Sequence, residues 1–161
     1  SAATNGFLTG QPDLLIDATG RVRLFARLLG IKERVGPRKD FAIFAHRDKA
    51  DILRRGGAHM SVFPEGWSWR IPLPGRISVG IVAPPSYFER FGEDVTEQYE
   101  GALANDPILK PRTAGSKRLT KVMKYQNYQL ISDRMVGANW AMVGDAAGFI
   151  DPVFSSGVCI S

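Results

Sequence analysis

Trp140-Ala141-Met142-Val143-Gly144-Asp145 is the stretch on which the fold turns. Four apolar residues in a row read as a buried strand, and the glycine that ends them lets backbone approach a bulky ligand closely. Asp145 then stands at the carboxyl end of that strand, which is where open α/β folds bind cofactors. A carboxylate there repels phosphate but accepts hydrogen bonds from sugar-like hydroxyls. Downstream, Asp151-Pro152 makes a rigid turn. Ser155 or Ser156 then caps a helix starting near Gly157-Val158, whose amides and positive dipole end suit an anion or an electron-rich ring. Without a ligand, the same residues are simply strand, turn and capped helix.

Working outward, the first third has the same grammar. Leu14-Leu15-Ile16 reads as a buried strand feeding the turn Asp17-Ala18-Thr19-Gly20. Val22, Phe25, Ala26, Leu28 and Leu29 follow at helical spacing, with Gly30 as the stop. The middle differs. Phe41, Ile43 and Ala45 alternate, as do Met60 and Val62, and Ile77, Val79 and Ile81. Trp67, Trp69 and Ile71 share one face of a strand while Ser68 and Arg70 share the other, which predicts a mostly antiparallel sheet. Glu93 to Asn105 is acidic and helical, stopped by Pro107 after Asp106. The expected plan is mixed α/β, in which α/β parts at either end pack together around a sheet.

Composition sets the outer bounds. The 161 residues carry 21 Lys+Arg against 16 Asp+Glu, a net charge of +5, and are 44% hydrophobic and 23% charged, so one ordinary globular domain is expected rather than disorder. The uncharged run Ile77–Phe88 is broken by Pro84 and Pro85, so it is not a membrane span, and no secretory signal opens the chain. The single Cys159 forms no internal disulfide, which favours a reducing, cytoplasmic setting. Ser1 in place of methionine, and a chain that stops within a helix start, read as a fragment. Residues 21–55 hold eleven basic and four acidic groups, and 89–106 one basic and six acidic. These are solvated faces in the first instance, with docking of an acidic partner as the alternative. No nucleic-acid signature accompanies them.

Common catalytic motifs are missing from the sequence. It has no GxG, no Walker lysine, no GxSxG, and no zinc-ligand spacing among His46, His59 and Cys159, so no metal is expected. His46 lies in a strand-like run and reads as structural.

Three segments together carry a family resemblance. Gly144 to Val158 closely resembles the second FAD-binding motif of FAD-dependent monooxygenases and halogenases. Asp17-Ala18-Thr19-Gly20-Arg21 with Ala26-Arg27 resembles their central motif. Trp67-Ser68-Trp69-Arg70-Ile71-Pro72 matches WxWxIP, a marker of flavin-dependent halogenases, at every fixed position. The resemblance implies the FAD/NAD(P)-binding fold of the aromatic-hydroxylase type, incomplete, with an inserted antiparallel sheet. Residues 1–30 and 119–161 would belong to the FAD-binding domain and 31–118 to the substrate-side sheet. It implies a halogenase using FAD reduced by a separate flavin reductase, with oxygen and chloride or bromide, to halogenate an organic substrate through a diffusing hypohalous oxidant. Gly144, Asp145, Pro152, Gly157, Val158, Asp17 and Gly20 are then the flavin candidates, and the amides of Ser156 and Gly157 the halide candidates. Trp67, Trp69, Ile71 and Pro72 are a family marker rather than catalytic residues.

The family's GxGxxG and catalytic lysine have no counterpart here, and neither Lys32 nor Lys39 takes the lysine's role. Phe154 stands where tryptophan-type halogenases carry glutamate, which points to a phenolic or pyrrolic substrate, often tethered to a carrier protein. A related FAD-dependent monooxygenase or reductase, and a non-catalytic α/β scaffold, are the alternatives.

Overall fold

A computed structural model describes residues 12–51, 56–126, 129–151 and 153. Its strands and helices are β1 (Leu15–Asp17), α1 (Leu24–Leu28), β2 (Glu33–Val35), β3 (Phe41–Arg47), β4 (His59–Phe63), β5 (Gly66–Leu73) and β6 (Arg76–Ala83). They continue with α2 (Pro85–Phe88), α3 (Val95–Asn105), α4 (Leu109–Thr113), β7 (Met123–Gln126), β8 (Leu130–Ser132), β9 (Trp140–Met142) and β10 (Gly148–Phe149). The chain forms two compact units, one containing residues up to Pro37 and from Gln129 onward, the other Arg38–Tyr128.

The first unit is built from both ends of the chain. β1 pairs parallel with β9, Asp17 opposite Met142, and β8 is flanked by β2 and β10 in an antiparallel sheet. Ala26, Met142 and Ala147 form its small core, with Phe25, Ile31, Met135 and Trp140 packed against them. Gly30 has φ +61° just past the end of α1, the left-handed stop that glycine permits without a Cβ penalty. Leu14, Leu15 and Ile16, expected to be buried, are instead 56%, 41% and 58% exposed. β1 has a single strand neighbour among the described residues, so the two-stranded ribbon does not enclose its own side chains.

The second unit is a five-stranded antiparallel sheet in the order β4-β5-β6-β3-β7. Ile43 and Ala45 of β3 and Ile77, Val79, Ile81 and Ala83 of β6 bury one face against Tyr87, Phe88, Tyr99, Ala102, Leu103 and Leu109. α3 starts at a capping box, in which Asp94 accepts from the Thr96 N–H and Glu97 reaches back to the Asp94 N–H. The Tyr99 hydroxyl donates to the Val79 carbonyl at 3.2 Å, and burial pushes its phenol up to about 12.

Register across β5 and β6 buries two polar side chains. Ser68 lies opposite Ile81 and Arg70 opposite Val79, so these polar side chains share the helix-covered face. They are 0% and 2% exposed, deeper than the tryptophans beside them. Two contacts make this tolerable: Ser68 Oγ donates to Asp106 Oδ2 at 3.3 Å, and Arg70 Nη1 donates to the Asp51 carbonyl at 2.7 Å. Among the described residues no helix is long and apolar enough to cross a membrane.

Candidate functional site

Because β1 and β9 run parallel in register, the segments leaving their carboxyl ends emerge side by side. From β1 comes Asp17, then a 3-10 turn over Gly20–Val22. From β9 comes a 3-10 turn over Gly144–Ala146. The Val143 N–H donates to the Asp17 carbonyl at 3.0 Å and locks the two departures together.

The two aspartates differ. Asp17 is 2% exposed and its carboxylate is engaged within its own segment. Oδ1 accepts the Thr19 N–H at 2.9 Å and the Thr19 hydroxyl at 2.5 Å, and Oδ2 accepts the Phe25 N–H at 2.7 Å. Burial pushes this carboxyl up. The hydrogen bonds from Thr19 and Phe25, with the charge of Arg23, outweigh that and hold it below the ordinary aspartate value. Asp17 thereby organises the turn and the start of α1. Asp145 is half-buried, and its side chain makes no hydrogen bond or ion pair with another described residue. Of the two, it is the carboxylate free to accept from a ligand.

Gly20 has φ +59°, with open space where a Cβ would stand, and Gly144 has φ +58°. Both turns therefore present bare backbone at this edge. Asp151 Oδ1 accepts the Val153 N–H at 2.9 Å. Pro152, Phe154, Ser156, Gly157 and Val158 lie outside the described residues. Among the described residues, no group of three or more metal-ligating side chains is assembled.

The tryptophan marker sits in the second unit. Trp67 and Trp69 have ring centroids 5.6 Å apart, and Trp69 Nε1–H donates to Ser78 Oγ at 3.0 Å. Gly80, directly opposite both Trp69 and Phe44, is the floor under these rings. Pro72 falls two residues past Arg70, where pairing with β4 ends, so its missing N–H removes no ladder bond on that side. His46 pairs across from Ser78 and keeps a buried Nδ1 without a partner; burial, then the charge of Arg76, pushes its imidazole down.

Sequence reasoning passed over Arg23. It is 7% exposed and has the left-handed backbone φ 51°, ψ 55°, and among the described residues no other non-glycine has positive φ. Nε–H donates to the Ala146 carbonyl at 3.4 Å, Nη2 to Ser132 Oγ at 2.8 Å, and Nη1 pairs with Glu33. The one hint in the sequence is a charge between Val22 and Leu24, inside an apolar helical pattern.

Comparison with known proteins agrees with this geometry. The family model described as "Tryptophan halogenase" matches residues 10–161. A 1H-pyrrole-2-carbonyl-[peptidyl-carrier protein] chlorinase from Pseudomonas fluorescens is 28% identical over 158 residues, covering 92% of this chain and 35% of its own length. A tryptophan 2-halogenase from Chondromyces crocatus is 30% identical over 158 residues, covering 93% of this chain and 30% of its own. The crystal structure of CmlS, a flavin-dependent halogenase, superposes with a TM-score of 0.79 at 27% identity, over 92% of this chain and 28% of that one. The chain thus spans about a third of the length of the curated relatives it matches. It belongs to the tryptophan halogenase family.

Proposed function

We propose that this chain is the flavin-holding and sheet portion of a flavin-dependent halogenase. The observation that carries the reading is the Asp145 carboxylate, without a partner among the described residues, at the carboxyl end of the β1–β9 pair and beside the bare backbone of Gly20 and Gly144. Those features suit FAD: a carboxylate to accept from ribityl hydroxyls, and turns whose missing Cβ atoms let a large cofactor lie against backbone. Gly144, Asp145, Asp17 and Gly20 would hold it, Asp17 by fixing the turn, together with Pro152, Gly157 and Val158. The Ser156 and Gly157 amides would steady the halide. When bound, reduced FAD would supply two electrons to oxygen, which is the oxidant that converts chloride or bromide to hypohalous acid with release of water. We assign no residue of this chain the part of the family's catalytic lysine.

The substrate we assign is phenolic or pyrrolic, carried on an acidic carrier protein. Phe154 in place of glutamate and the basic excess of residues 21–55 support it. So do relatives named as a pyrrolyl-carrier-protein chlorinase and brominase, the latter 31% identical over 160 residues. A separate flavin reductase would be the electron source, and the cytoplasm the setting. The intact protein, given reduced FAD, oxygen and chloride or bromide, should return product with a halogen isotope pattern by mass spectrometry. Hydroxylated product without halogen would assign it to the monooxygenases instead. Efficient halogenation of free tryptophan would overturn the reading of Phe154.

A further inference from the structure

Arg23 is an unfavourable residue where it stands. A left-handed backbone is strained for a residue that carries a Cβ, and a buried guanidinium must find partners for its charge. The structure retains both features at one position. The partners are informative: they come from four separate segments of the first unit. The Arg23 N–H donates to the Gly20 carbonyl at 3.0 Å, closing the first turn, and the Arg23 carbonyl accepts from Arg27 at 3.2 Å, opening α1. Its guanidinium then spans to Glu33 of β2, Ser132 of β8 and the carbonyl of Ala146.

The last two contacts form a closed circuit around the Asp145 turn. Arg23 holds the Ala146 carbonyl from one side. Ser132, which accepts from Arg23, donates its own N–H to the Ala147 carbonyl at 3.1 Å. The peptides at 146 and 147 are therefore pinned immediately after Asp145, whose side chain has no partner among the described residues to fix it. A ligand-binding carboxylate with no anchor of its own depends on its backbone for direction.

We infer that Arg23 is a positioning residue for flavin binding, setting the Gly144–Ala147 turn and through it the Asp145 carboxylate, without touching the cofactor. Left-handed geometry at residue 23 is what turns the side chain from the β1 turn back across to the β9 turn. The inference rests on the reading that Asp145 contacts FAD, and the test separates the two.

The experiment is a double-mutant cycle on FAD affinity in the intact protein, by flavin fluorescence, with urea stability measured in parallel. Asp145→Ala should weaken FAD binding by about ten-fold. Arg23→Gly deletes the guanidinium but takes the left-handed conformation without strain, so it limits the structural damage. It should weaken FAD binding by about five-fold or more, and the Asp145→Ala/Arg23→Gly protein should bind within about two-fold of Asp145→Ala alone. Arg23→Lys keeps the charge but loses the fork, and should bind no better than Arg23→Gly. Wild-type affinity in Arg23→Gly beside a weakened Asp145→Ala overturns the Arg23 inference alone, as do losses that simply multiply. Wild-type affinity in Asp145→Ala overturns the flavin reading whatever Arg23 does. Should the Arg23 variants not fold, Glu33→Gln releases the guanidinium while keeping Arg23. It should lower FAD affinity by about two- to three-fold, and unchanged affinity there also overturns the inference.

Discussion

Asp17 and Asp145 show how one residue type takes two roles at the carboxyl ends of one strand pair. Asp17 is fully spent on Thr19 and Phe25, whereas Asp145 has no partner among the described residues, so one builds the turn and the other is the one we assign to a ligand. Asp17→Ala orphans the Phe25 N–H and the Thr19 donors in a buried place, and should destabilise the protein by about 1–3 kcal/mol in urea unfolding. The pH dependence follows from the depressed carboxyl. The unfolded chain binds the proton first, near 3.8, so this stabilisation is complete above that value and is lost as pH falls through the lower folded value. Asp17→Asn should therefore flatten the fall of stability on the acid side of 3.8, as read by urea midpoints taken through that range. An unchanged acid limb would show that Asp17 titrates as it does in the unfolded chain.

Among elements, β5 and β6 carry the most specific packing. A Cβ on Gly80 would overlap the Trp69 ring and Phe44 Cβ, and the latter is fixed by its own strand. Gly80→Ala should cost about 1–3 kcal/mol as overpacking, lowering the urea midpoint at constant slope. An unchanged midpoint would mean the aromatic row is loose. Much of this sheet was legible in advance, because period-two alternation at Phe41–Ala45, Met60–Val62 and Ile77–Ile81 reports strands directly. Alternation does not say which face helices cover. Ser68 and Arg70 were paired correctly with each other, but only the register to Ile81 and Val79 and the contacts to Asp106 and Asp51 reveal their burial. β1 fails in the opposite way: its apolar run signals a strand, while exposure depends on neighbours the run does not encode. At the site, Gly144-Asp145 was visible from strand-then-glycine order. Arg23 was not, since its partners lie 109 and 123 positions away and its backbone sign has no sequence signal.

At the scale of the whole molecule, the two units differ in how they are assembled. Arg38–Tyr128 is one continuous segment with its own core, whereas the first unit joins Leu15 of β1 to Trp140 of β9 and Glu33 of β2 to Ser132 of β8, pairings far apart in the sequence. The flavin residues we assign belong to that second kind of construction, and their parallel pair has two strands among the described residues. The sequence holds no GxG anywhere, so the glycine turn that lets a pyrophosphate lie against a helix N-terminus has no counterpart in these 161 residues. The relatives that match over nearly all of this chain are about three times its length. Among the described residues the site we assign offers one carboxylate and two bare turns, which orient a flavin but do little to offset the freedom it loses on binding. The 161 residues alone should therefore bind FAD more weakly than micromolar, which corresponds to about −8 kcal/mol, while the intact protein binds more tightly. Titrating FAD into each and following flavin fluorescence checks this, with urea unfolding as the control that the shorter chain is folded. Micromolar or tighter binding by the 161 residues would mean that the adenine and pyrophosphate are held by groups in this chain that the Asp145 assignment leaves out.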